Sequence, residues 1–173
     1  MSTDTSAPPL PENNATAADF HREIGDELFN QVLVLVDRAD RNCEENARMI
    51  HAAHASRLHF EFGGTVVNIA LGEWQCSRVH CAMGHSDAGL YHAFRYLEMA
   101  ESYGLGPFHL SYAHAAVARA YTICNRSEAE RHLEQARELS LHTAEGEERD
   151  VLNQEITAVT RLLSEPAAAP SLH

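Results

Sequence analysis

One pattern constrains this chain before any other. Apolar residues return every three or four positions, segment after segment, and never at every second one. Phe20, Ile24, Leu28, Val32 and Leu35 form the first such stripe. Positions so spaced share one face of an α-helix, whereas a half-buried strand would alternate. Ala47, Ile50, His54 and Leu58 form a second stripe, which stops at Gly63-Gly64. Val67, Ala70, Trp74, Ser77 and Cys81 form a third, ending at Gly84. Leu90, Ala93, Leu97 and Ala100 continue to Gly104, and Leu110, Ala113, Val117, Ala120 and Cys124 follow. Ala129, Leu133 and Ala136 form a sixth stripe, and Leu152, Ile156, Val159 and Leu163 a seventh.

Helix punctuation falls between these stripes. Asn42 can cap the second helix, with Glu44 and Glu45 favourable in its first turn, and Pro107 suits the first position of the fifth. Ser86 is placed to cap the fourth, Ser127 with Glu130 to form a capping box on the sixth, and Thr143 to cap the seventh. The fold class expected is all-α, about seven antiparallel helices whose short links stack them as hairpins.

At 173 residues the default is one compact domain. It is expected over residues 18–164, after a disordered tail at 1–17 that carries Pro8, Pro9, Pro11, Asn13 and Asn14, and before a flexible tail at 165–173. The net charge is −12 and all 13 basic residues are Arg. No Lys/Arg-rich run is present, so neither nucleic acid nor a polybasic contact with a membrane surface is expected. Val32–Val36, the longest dense apolar run, is far too short to span a bilayer. Cys43, Cys76, Cys81 and Cys124 make no Cys-x-x-Cys pair and Met1–Thr5 lacks a basic n-region, which points to free thiols and a cytoplasmic protein.

The chain also repeats itself. Ser77-Arg78-Val79-His80-Cys81 returns loosely as Ala118-Arg119-Ala120-Tyr121-Thr122, 41 positions on. The turn Met83-Gly84-His85-Ser86-Asp87-Ala88 and the better match Cys124-Asn125-Arg126-Ser127-Glu128-Ala129 each open a following helix. Over Glu73 to about Leu141 the chain resembles the tetratricopeptide repeat. It departs from that pattern in a unit of about 40 residues where the family has roughly 34, and in lacking the Leu-Gly pair in its fifth helix. The run from His51 to Val159 is similar to a group of uncharacterised bacterial helical proteins, a likeness that implies no activity.

The resemblance implies a right-handed array whose first helices line a concave surface that holds a peptide or a partner helix. In this chain those are helices three and five, and the residues placed for partner binding are Trp74, Arg78, Cys81, His114 and Tyr121. Aromatic faces with a guanidinium fork suit protein recognition. The competing expectation is that Trp74 and Tyr121 are core and Arg78 is a structural ion pair. The Phe29–Val36 stretch is a candidate homodimer seam.

Histidine is abundant, at 12 residues. His51 and His54 lie one turn apart, and Cys76 and His80 are four apart on the next helix. If the chain turns back at Gly63-Gly64, residues whose numbers sum to about 128 face one another, which brings the pairs together. The alternative site is therefore a metal or small-molecule centre of His51, His54, Cys76 and His80, with Zn²⁺ the suited ion. The competing expectation is a set of core histidines and a buried thiol, and no resident metal or cofactor is expected. Neither a Gly-x-Ser-x-Gly elbow nor a phosphate-binding glycine loop is present, and no Lys exists to serve as nucleophile. The chain is expected to be a non-enzymatic, protein-binding or regulatory scaffold.

Overall fold

A computed structural model describes residues 16–164, so the two tail expectations lie largely outside the described residues. The chain is all-α, with seven helices: α1 (Ala17–Val36), α2 (Cys43–Gly63), α3 (Val66–Ala82), α4 (Ser86–Ser102), α5 (Pro107–Tyr121), α6 (Arg126–Ser140) and α7 (Glu147–Ser164). No strand occurs among the described residues.

Side-chain caps set several starts. Thr16 with Asp19, Asn42 with Glu45 and Thr65 with Asn68 each close a capping box, satisfying orphan amides at both ends of the motif. Three starts differ from the sequence expectation. His85, not Ser86, is the N-cap of α4, where Ser86 is already the first helical residue and no side chain caps the start. Asn125, not Ser127, caps α6, because its side chain already accepts from Glu128 N at 3.3 Å. Helix α7 begins at Glu147 rather than near Thr143, because Gly146 takes φ +137°, a conformation that keeps the preceding segment out of the helix. Thr143 is buried in that linker, with its carbonyl held by Arg149 Nη1 at 3.0 Å.

Consecutive helices pack against each other as antiparallel hairpins. Beyond those pairs, the backbones of α1 and α3, α3 and α5, and α5 and α7 come close, while α2, α4 and α6 meet only through side chains, His54 on His92 at 5.1 Å and Phe94 on His132 at 5.9 Å. The odd-numbered helices thus form a continuous layer and the even-numbered ones lie farther apart, which curves the stack with the odd helices on the inner side.

Helix α5 is central, touching α3, α4, α6 and α7. It is accordingly alanine-rich: Ala113, Ala115, Ala118 and Ala120 are fully buried. Small side chains let four helix surfaces approach one axis. A second apolar cluster joins Val32 and Val36 of α1 to Met49, Ala53, Cys76 and Val79. Burying Val32 and Val36 leaves Leu33 and Val34 exposed on α1. Polar ties cross the interfaces too: Ser56 Oγ donates to Gly25 O at 2.8 Å and Gln75 Nε2 to Phe29 O at 2.9 Å. Among the described residues no helix is long and apolar enough to cross a membrane.

A candidate partner-binding face and a histidine cluster

The inner layer carries an aromatic floor. Trp74 of α3 stacks on Tyr112 of α5, ring centroids 5.1 Å apart, and Phe29 of α1 stacks on Trp74 as well, at 6.2 Å. Both Trp74 and Tyr112 are buried at 6% exposure, so their rings are more structural floor than free contact surface. Over the Trp74 ring lies the Arg78 guanidinium, 5.7 Å from the centroid.

Arg78 is held from two sides. Its Nη1 donates to Glu155 Oε2 of α7 at 2.9 Å, and its Nη2 to Asp37 at the end of α1. Glu155 also accepts from Arg119 Nε of α5 at 2.8 Å, and Arg119 Nη2 is buried with no partner among the described residues. The two acceptors differ in kind: the Glu155 side chain is 5% exposed and that of Asp37 74%. Removing Glu155 would strand Arg119 and leave Arg78 held only by exposed Asp37, whereas Asp37 can leave Arg78 for water at small cost.

Two depressions meet at this pair. One, of about 190 Å³, is lined by Arg78, Cys81, Arg119, Thr122 and Leu162. The other, of about 360 Å³, is lined by Leu33, Trp74, Tyr112, Gln154 and Ala158. Asp37 and Arg78 belong to both. Leu33, Ile123 and Leu162 supply exposed apolar area around them.

Of the residues expected on this face, the structure brings Trp74, Arg78 and Cys81 together. Cys81 packs its sulfur against Gly89 of α4, and burial pushes its thiol up to about 11, so it lines the depression as an apolar group. His114 and Tyr121 turn elsewhere. His114 Nδ1 lies 2.9 Å from His132 Nδ1 of α6, and Tyr121 stacks on the same His132 ring at 5.8 Å. On a 3.6-residue helix they sit about 200° around from Tyr112 and Arg119, which are the α5 residues of the inner face. Arg119 was visible in the repeat, as the counterpart of Arg78 41 positions on.

The α2–α3 hairpin turns as its glycines suggest. His54 Nδ1 meets Cys76 Sγ at 3.8 Å and Arg57 Nε meets Glu73 Oε1 at 2.8 Å, pairs whose numbers each sum to 130. His54 Nε2 lies 3.1 Å from His80 Nε2. His51 is exposed one turn back and is not part of the group. Its place is taken by His92 of α4, one ring nitrogen from each of His54, His80 and His92 lying within 4.8 Å of the others. The turn at Gly84 brings α4 back along α3, where His92 Nδ1 meets Glu73 Oε2 at 2.7 Å. Burial lowers the pKa of His54, and burial with His54, His92 and His85 nearby takes His80 down to about 4. Both rings are therefore uncharged at neutral pH, with a lone pair to offer. Cys76 is fully buried and its thiol is pushed up to about 12 by burial, then by Glu73, so it stays protonated.

Compared with known protein families, curated proteins and solved structures, the chain matches none.

Proposed function

We propose that the protein is a non-enzymatic, tetratricopeptide-like scaffold that binds an extended peptide segment of a protein partner along the face of α3 and α5, flanked by α1 and α7. The observation that carries the reading is the asymmetry at Arg78. A buried carboxylate, Glu155, fixes the guanidinium over the Trp74 ring, and an exposed one, Asp37, occupies the fork that points to solvent. A carboxylate on a partner can take the place of Asp37 without disturbing the rest.

Such a ligand is a peptide with one acidic side chain or a terminal carboxylate between apolar residues. The charge would lie on Arg78, with Arg119 beside it, and the apolar neighbours would fill the depressions on either side. An Arg that is desolvated on a flat aromatic face is the kind of anchor that dominates interface energy. Curvature supports the same reading, since the side where the odd helices converge is the concave one. The two hairpins α3–α4 and α5–α6, offset by 41 residues, are the units the tetratricopeptide resemblance rests on.

Selection of a displayed random-peptide library on the purified protein tests this directly. Enrichment of carboxylate-bearing sequences with apolar flanks is expected. Arg78→Ala, which leaves the Glu155–Arg119 pair in place, should weaken the enriched peptides by about 30-fold or more, a hot-spot loss of about 2 kcal/mol. Equal binding by wild type and a folded Arg78→Ala variant would overturn the proposal.

A further inference from the structure

We propose that His54, His80 and His92 form a binding site for a divalent transition-metal ion of the Zn²⁺ type, with Glu73 orienting His92. The inference goes beyond peptide binding and stands independently of it, on a different set of helices.

Three helices converge to make the cluster: α2 brings His54, α3 brings His80 and α4 brings His92. Zinc bound to imidazole at about 2.0–2.1 Å in a tetrahedron sets its nitrogens roughly 3.3 Å apart. His54 Nε2 and His80 Nε2 are already 3.1 Å apart, and the third nitrogen lies within 4.8 Å, so small ring rotations complete the triangle. Without a metal, two facing Nε2 atoms can pair only as one donor and one acceptor. A cation between them uses both lone pairs.

The outer contacts of His92 and His54 match what imidazole ligation needs, while His80 Nδ1 is buried without a partner among the described residues. His92 Nδ1 is 2.7 Å from Glu73 Oε2, which fixes the ring and leaves Nε2 as the nitrogen free to coordinate. Glu73 is itself 3% exposed and held through its other oxygen by Arg57 Nε at 2.8 Å. A carboxylate behind a ligating imidazole both sets the tautomer and raises its basicity. His54 likewise has its Nδ1 turned to Cys76, leaving Nε2 for the cluster. Cys76 therefore stands behind a ligand and is not one.

An all-imidazole donor set selects Zn²⁺, Cu²⁺ or Ni²⁺ over Mg²⁺ and Ca²⁺, which prefer oxygen. Three protein ligands leave a fourth position for water or for a partner's side chain. Because His54 is exposed, that position is reachable from solvent.

Titration of the tag-free, chelator-stripped full chain with Zn²⁺ by calorimetry is the test, with circular dichroism to establish folding. One tight equivalent is expected. His92→Ala and His80→Ala should each weaken it by about 100-fold or more, and Glu73→Gln by about 10-fold. His51→Ala and His114→Ala, which alter exposed and half-buried imidazoles outside the cluster, should leave it unchanged. The Co²⁺ spectrum of the wild-type protein keeps the proposal testable even if a variant fails to fold, and should show intense tetrahedral bands without thiolate charge transfer. No equivalent tighter than that shared by His92→Ala and His51→Ala, or a thiolate band implicating Cys76, would overturn the assignment.

Discussion

His132 shows how a single buried side chain makes this fold sensitive to acid. Its Nε2 lies 2.9 Å from Arg131 Nη2, and a guanidinium only donates, so Nε2 is the acceptor. Its Nδ1 then carries the proton and donates to His114 Nδ1 at 2.9 Å. Burial, then Arg131, then His114 hold its pKa down at about 4. In the unfolded chain the same imidazole takes up its proton near about 6.5. Between those values the unfolded state binds a proton the folded state refuses, so stability rises with pH there and is lost as pH falls from about 6.5 towards 4. Burial lowers His114 and His109 in the same direction. Thermal melts between pH 7 and pH 4.5 should show a falling Tm, and His132→Gln should flatten the slope. An equal slope in the two proteins would remove His132 from the account.

Helix crossings impose a different kind of constraint. At Gly72 a Cβ would lie 2.8 Å from Arg57 Cγ and 3.0 Å from Arg57 Cα, so α3 passes α2 at a distance only glycine allows. Gly72→Ala should cost about 1–3 kcal/mol by overpacking and pull Arg57 away from Glu73. A Tm lowered by roughly 2–10 °C in calorimetry is the expected result. These elements were largely legible in the sequence, because stripes of the right period are bounded by Asn42, Thr65, Gly84 and Pro107, each with a definite local role. The face of α5 was not legible. Buried by four neighbours, it has apolar residues on every side, so the stripe from Leu110 to Cys124 does not tell inner from outer. Sequence spacing alone groups His114 and Tyr121 with Trp74, whereas in the structure Tyr112 stacks on Trp74 and Arg119 joins Arg78 at Glu155. His92 belongs to the next hairpin, so the turn at Gly63-Gly64 says nothing of it, and only the second turn, at Gly84, brings it to Glu73.

At the scale of the whole molecule, the packing of odd helices on one another makes a concave layer, and the ion pairs of Arg78 tie three of its helices together at one point. The buried Glu155 pair is the structural ion pair expected of Arg78, and the proposed ligand requires only the exposed Asp37 pair to open. Asp37→Ala should therefore tighten peptide binding while leaving stability nearly unchanged, because an exposed ion pair contributes about 0–1 kcal/mol. Trp74, the single tryptophan of the chain, lies beneath the exchanging group and reports on it without a label. The decisive measurement is a Trp74 fluorescence titration with a library-selected peptide. The account predicts a saturable change in emission that is tighter in Asp37→Ala and absent in Arg78→Ala. A peptide that binds by calorimetry yet leaves Trp74 emission unmoved, with equal affinity for all three proteins, would contradict it.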